Sequence, residues 1–379
     1  MNKKAIYAHK ILVLGKLIED HVIIFENGII SDLFPIEKRP KGLLVEEISE
    51  GYLVPGFFDI QVNGGGGFLF NDDPSLETIQ NIGSAHRKFG TTSFFPTLIS
   101  DDLDKIAAAI SAVDQAIAMG VPGVVGIHIE GPFLNEKKKG IHDAGKFKCL
   151  DEEAVQLLSS LKSGKTLVTL APEINDPQFI TKLTQSGVTV AAGHTNGTYE
   201  QTIASIEAGV TGFTHLFNAM SAFQSREPGA VGAAFEMMET WASVIADGFH
   251  VHPAVLRHAI KTKGTDKIIL ITDAMPTVGS QKKEFWLGNE HIKAKDGKCT
   301  NADGVLAGSD LDMASAVKYI TEHVGFSLEQ AIEMASRSPA KFMKLENEVG
   351  SIAIGKKANF ALLDDKLDVL NVWIEGVQY

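Results

Sequence analysis

The chain has 379 residues, 44% hydrophobic and 22% charged, enough for one large domain with a satellite and a sizeable core. Its net charge of −12 opposes nucleic acid or anionic membrane as a partner, so an anionic substrate must be captured by local Arg or His. Two cysteines without a CxxC pair indicate neither a disulfide framework nor a zinc knuckle, and no apolar run spans a membrane. MNKKAIYAHK leads into no signal-peptide core, so a cytoplasmic protein is expected.

Residues 1–53 read as short strands, with a hairpin signal at Asn27-Gly28. The tail, with ANFALLD and VLNVWIEGVQY, reads the same way, and neither end can bury enough apolar surface alone. Pairing of the two ends into one small β-sandwich (1–53 plus 346–379) is the economical solution, and it makes 54–345 a single inserted unit. Within that unit eight apolar runs recur, at 57–62, 92–97, 124–129, 166–170, 188–192, 211–215, 243–246 and 268–272. Helical candidates between or after them cover 101–119, 151–161, 177–185, 198–208, 253–261 and 310–324, the third opening on an Asp176 cap and Pro177. This α/β alternation predicts a (β/α)8 TIM-type barrel, with a doubly wound open sheet as the alternative.

A barrel places its chemistry where strands end. The ends carry Gln61 and Asn63, Thr97, Glu130, Glu173, His194, His215, Asp247 with His250 beyond it, and Asp273. In VVGIHIEGPFLNEKKKGIHDAG, His128 and Glu130 are two apart and share one side of a strand. Glu130, His194 and His215 form a carboxylate–imidazole set that suits Zn²⁺ or Fe²⁺ with a position left for water. The competing reading is that the two histidines merely cap strands. Asp273, after KIILIT, is either a helix cap or a buried acid–base; Ala-Met-Pro is a poor helix start, which favours the second. Asn218, the amides around Ala219, and Arg226 form a candidate phosphate or carboxylate contact, although a lone loop Arg is usually solvated. Gly64–Gly67 lacks a P-loop lysine and reads as tight backbone. Lys137–Lys139 reads as a solvated loop face or a movable lid.

These residues stand in blocks that resemble, nearly end to end, the amidohydrolase superfamily and within it the N-acetylglucosamine-6-phosphate deacetylase family. The blocks are GYLVPGFFDIQVNG, GIHIEGPFLNEKKKGIHDAG, APE, AAGHTNGTYEQ, GFTHLFNAMSAF, REPGAVGA, IADGFHVHP, ITDAMPTVG, LAGSDLDMASAV and GSIAIGKKANFALLD. The resemblance implies hydrolysis of the N-acetyl group of N-acetyl-D-glucosamine 6-phosphate by a homodimer, with no nucleic-acid or membrane partner. It implies metal on Glu130, His194 and His215, an acid–base at Asp273, and His142 polarising the substrate carbonyl. It also implies that Asn218, the Ala219 backbone, Arg226 and His250 hold the phosphate, one of them reaching in from a neighbouring subunit. Gln61 is expected to line the site and Leu306 to close over the sugar. Many superfamily members carry His-x-His after the first strand, where this chain has Gln61-Val62-Asn63. Amides are poor transition-metal ligands, so one divalent metal per subunit is expected, Zn²⁺ foremost. A deacetylase for the galactosamine epimer would share nearly every block. A cyclic-imide or dipeptide hydrolase would keep the first-strand histidines, and a non-catalytic scaffold would have lost ligands that are all present here.

Overall fold

The computed structural model describes residues 3–379. Its centre is a parallel eight-stranded sheet of strands Phe57–Val62, Thr91–Ile99, Gly126–Glu130, Lys165–Leu170, Thr189–Ala192, Gly212–Phe213, Trp241–Ile245 and Ile268–Ile271, neighbours in chain order. The seam between the first and last strands is closed partly by side chains. Asp59 accepts from the Thr272 hydroxyl and from the amides of Gln61 and Thr272, while Asp273 N–H donates to the Gln61 carbonyl at 3.0 Å. A Val62–Ala274 bridge completes the ring, so the barrel holds and the open sheet does not.

The strands read as unbroken apolar runs because both faces are covered, by barrel interior on one side and helices on the other. Helix starts follow local signals. Asp151 and Asp176 accept from N–H groups of the first turn, and Thr198 with Gln201 forms a reciprocal capping box. Helices at Leu76–Arg87, Gly229–Glu236, Leu328–Ile332 and Ser338–Phe342 add to those expected from sequence, and the expected 310–324 helix runs as Met313–Tyr319 continued by a wider π turn, Ile320–Val324.

Both chain ends contribute to one further sheet. Strands Lys3–Val13, Lys16–Glu26, Ile29–Pro35, Glu46–Ile48 and Tyr52–Pro55 join Phe360–Leu363, Val369–Ile374 and Val377–Gln378. Tyr52–Pro55 pairs antiparallel with Phe360–Leu363, which is where the two ends of the chain meet. Ile6, Ile11, Phe25, Leu53, Phe360 and Trp373 make its core. An unforeseen feature follows the last barrel strand: a three-stranded antiparallel sheet, Glu284–Leu287, Glu290–Lys295 and Lys298–Thr300. Phe285, Ile292 and Cys299 on it pack against Leu69, Met275 and Ala307 at the rim of the barrel.

Candidate active site

The strand-end residues converge on one cavity of about 380 Å³ at the C-terminal mouth of the barrel. Glu130, His194 and His215 come from three different strands, all at most 5% exposed. His215 Nε2 lies 2.9 Å and His194 Nε2 3.2 Å from Glu130 Oε1, and the two imidazole nitrogens are 3.2 Å apart. Ligands about 2.0–2.1 Å from a tetrahedral ion lie roughly 3.3 Å from one another, so these spacings fit a bound divalent cation. The chemistry of the donors agrees. His194 Nδ1–H donates to the Lys138 carbonyl at 2.7 Å, which leaves the Nε2 lone pair free for a metal. Burial alone would push the Glu130 carboxyl up, but the neighbouring imidazoles of His194 and His215 hold it well below its ordinary value, as a carboxylate.

The turns that present these groups are strained. His194, His215 and Asp273 all have positive φ (47°, 36° and 52°), a conformation held against its cost by the surrounding bonds. Asp273 is gripped from two sides. Asn63 Nδ2 donates to its Oδ1 at 2.6 Å and Gln61 Nε2 at 3.1 Å, while Ser309 N–H donates to its carbonyl. Gly308 approaches so closely that a Cβ there would sit 2.8 Å from the Asp273 carbonyl oxygen, so the LAGS block needs its glycine. Burial, reinforced by the negative charge of Glu130, raises the Asp273 carboxyl to about 6. Gln61 Nε2 also donates to Glu130 Oε2 at 3.1 Å. Gln61 and Asn63 therefore hold carboxylates by their amide N–H groups, a role opposite to that of a metal ligand.

His142 is 3% exposed, on the basic loop after the third strand. The Ser100 N–H (3.4 Å) and hydroxyl (2.8 Å) both reach its Nδ1. A backbone N–H can only donate, so Nδ1 accepts and the imidazole proton sits on Nε2, 4.0 Å from Glu130 Oε2. Burial, then the neighbouring His194, pulls its pKa down to about 3, which keeps the ring neutral. His128 lies a layer below, bonded to Thr169 Oγ1 at 2.7 Å, and burial takes it down to about 4. It is a neutral core residue that shares the inward face with Glu130.

Asn218, Ala219, His250 and Leu306 line the cavity with Asn63, His142 and Asp273. His250 Nδ1–H donates to Asp247 Oδ2 at 2.6 Å, which turns its Nε2 away from that carboxylate. Arg226 does not join them. It is exposed, in the loop after the sixth strand, and lines no part of the cavity in its own chain. Gln61 sits at the floor, 1% exposed, reaching the site through its hydrogen bonds rather than lining the cavity. Glu173 also stands apart: it accepts from Asn135 Nδ2, the Thr195 hydroxyl and Asn196 N–H, bracing the loop that carries His194. His252 is the N-cap of helix Pro253–Lys263. Sequence reading missed Phe249, an apolar residue inside the strand-end block that carries His250, and Lys298, whose segment carries no motif of the kind that marks the strand ends; the structure brings both to the cavity.

Comparison with known proteins agrees with this geometry. An amidohydrolase family model matches residues 52–378. An N-acetylgalactosamine-6-phosphate deacetylase of Shewanella sp. (strain ANA-3) is 43% identical over 97% of this chain and 93% of its own length. An N-acetylglucosamine-6-phosphate deacetylase of Haemophilus influenzae is 31% identical over 95% of both. The crystal structure of N-acetylglucosamine-6-phosphate deacetylase from Pasteurella multocida superposes with a TM-score of 0.95 at 30% identity, covering 100% of both chains. Barrel, chain-end sheet, ligand cluster and sequence likeness lead to one assignment: the chain belongs to the amidohydrolase family, the metal-dependent hydrolases.

Proposed function

We propose that the protein hydrolyses the N-acetyl group of N-acetyl-D-glucosamine 6-phosphate to glucosamine 6-phosphate and acetate. The observation that carries this reading is the placement of Asp273 and the Glu130–His194–His215 cluster in one cavity that Asn218, Ala219 and His250 also line. In this reading residues 54–345 are the hydrolase unit and 1–53 with 346–379 its satellite, in a cytoplasmic homodimer.

Glu130, His194 and His215 would hold one divalent metal, Zn²⁺ foremost, with Fe²⁺ accepting the same ligands. When bound, such an ion supplies Lewis acidity and brings the pKa of a coordinated water toward about 7. Asp273, held by Asn63 and Gln61, takes the proton of the attacking water and returns it to the departing amine. His142 Nε2–H donates to the acetyl oxygen as negative charge develops there. Asn218, the Ala219 backbone and His250 hold the sugar phosphate, and Leu306 closes over the ring. Arg226, exposed and outside its own cavity, serves the phosphate of the neighbouring subunit.

The greater identity to the N-acetylgalactosamine-6-phosphate enzyme supports a second reading, in which the 4-epimer is the preferred substrate. Acetate release from both 6-phosphates, with and without chelator, tests the two together. Chelator-resistant release, or none from either sugar, rejects the proposal, and the ratio of kcat/KM chooses the epimer.

A further inference from the structure

We propose that Lys298 is a phosphate-binding residue supplied by each chain to its own cavity, a specificity contact for the substrate's phosphate monoester. This rests on the reading that the substrate is an amino-sugar phosphate. Lys298 opens the third strand of the inserted sheet, and its position is set by the turn before it. Lys295 pairs with Lys298 across a two-residue loop in which Asp296 and Gly297 both have positive φ (52° and 81°). That is the tight Asp-Gly hairpin whose twist matches its strands, so the strand start is held rather than loose. Cys299, the next residue, is fully buried in the small core beneath the sheet and anchors the strand there.

The same turn lies against the segment that carries His250. A Cβ on Gly297 would stand 3.4 Å from the ring of Phe249, the residue before His250. Lys298 and His250 thus reach the cavity from adjoining segments, and both line it. Among the described lining residues Lys298 is the one Lys or Arg. Of the neighbouring lysines, Lys283 pairs with Asp310 at 2.9 Å and Lys293 with Glu284 at 3.8 Å, while Lys282 and Lys295 lie outside the cavity. Lys298 has no such carboxylate among the described residues.

Charge explains why the cavity needs it. The chain carries −12 overall, and the cavity itself holds Glu130 and Asp273. A phosphate monoester adds up to two further negative charges at neutral pH. Arg226 lies outside this cavity, so among the described residues of one chain Lys298 is the ammonium that lines it, beside the His250 imidazole. An ammonium on a flexible stem suits a tetrahedral phosphate approached from solvent.

The test compares wild type, Lys298→Met and Lys298→Arg by steady-state kinetics on both N-acetylhexosamine 6-phosphates, with inorganic phosphate as competitive inhibitor and as calorimetric titrant. A charge-assisted contact at this partly solvated position predicts about a tenfold rise in KM for Lys298→Met, with kcat moving far less. The inhibition constant for phosphate should rise in parallel, the Arg variant should recover most of the loss, and metal content should match wild type. An unchanged KM and phosphate affinity, or a loss confined to kcat, overturns the proposal. Should wild type cleave neither sugar phosphate, the reading of the substrate falls. Calorimetry then still decides Lys298, since phosphate binding that ignores the substitution rejects it.

Discussion

The Asn63 side-chain amide donates to Asp273 Oδ1 at 2.6 Å, joining the end of the first barrel strand to the end of the last. That bond, with its partner from Gln61, converges on one oxygen of the carboxylate, and Asp273 lines the cavity. Asp273→Asn should therefore keep the fold and the metal ligands while removing the group that moves the proton. We expect turnover to fall by about 10²–10⁴-fold with metal content retained. Near-normal rates in that variant, measured by acetate release, reject the assignment.

Removing one metal ligand should act through occupancy. Glu130→Gln and His194→Ala are expected to lower bound metal and activity together, and chelator should do the same to the wild type. Elemental analysis of the purified protein should find one divalent metal per chain. A second metal at full occupancy contradicts the part assigned to Gln61 and Asn63, whose amides donate to carboxylates.

Arg226 offers a test of the dimer. If it serves the neighbour's cavity, Arg226→Ala and Asp273→Asn homodimers are both impaired. A mixed dimer nevertheless contains one site with both wild-type groups. Purified mixed dimers should recover about half of wild-type activity, and an unsorted co-expressed mixture, in which about half of the dimers are mixed, about a quarter. No recovery, with mixed dimers verified by mass spectrometry, rejects a shared site.

Asp59 predicts a stability change with pH. It is fully buried at the barrel seam, and burial raises its carboxyl to about 7 against an ordinary value near 3.9. A folded-state pKa raised above the unfolded one means the folded chain holds the proton more tightly. The resulting stabilisation is complete below pH about 4 and is lost as pH rises to about 7, on the order of 4 kcal/mol at most. Asp59→Asn keeps a group that can accept from the Gln61 and Thr272 amides without titrating. The difference in urea midpoint between the two proteins should drift in favour of the variant between pH 4 and 7. Parallel profiles reject the idea.

Much of the site was legible because barrel strands carry a local rule. A strand that ends in Glu130, His194, His215 or Asp273 announces both its own apolar run and the chemistry at its tip. The i, i+2 parity of His128 and Glu130 also held: both face inward, but at different depths, so one is core and the other joins the cluster. That Asp273 caps no helix was readable from the poor helix start behind it, and the structure shows strand-end and rim contacts there instead.

Composition, apolar periodicity and strand-end polarity determined the α/β alternation, the pairing of the two chain ends and the residues that gather around Glu130. These are properties of single segments, set by burial and by hydrogen bonding along the chain. Only the tertiary structure decided which distant groups face one another: that Arg226 lies outside its own cavity, that Glu173 braces a loop, and that Gln61 and Asn63 donate to carboxylates. It alone placed Lys298 at the mouth, because an exposed lysine on a hairpin has no local signature. Its neighbours are set by how the inserted sheet packs on Met275 and against Phe249, contacts between segments far apart in the chain.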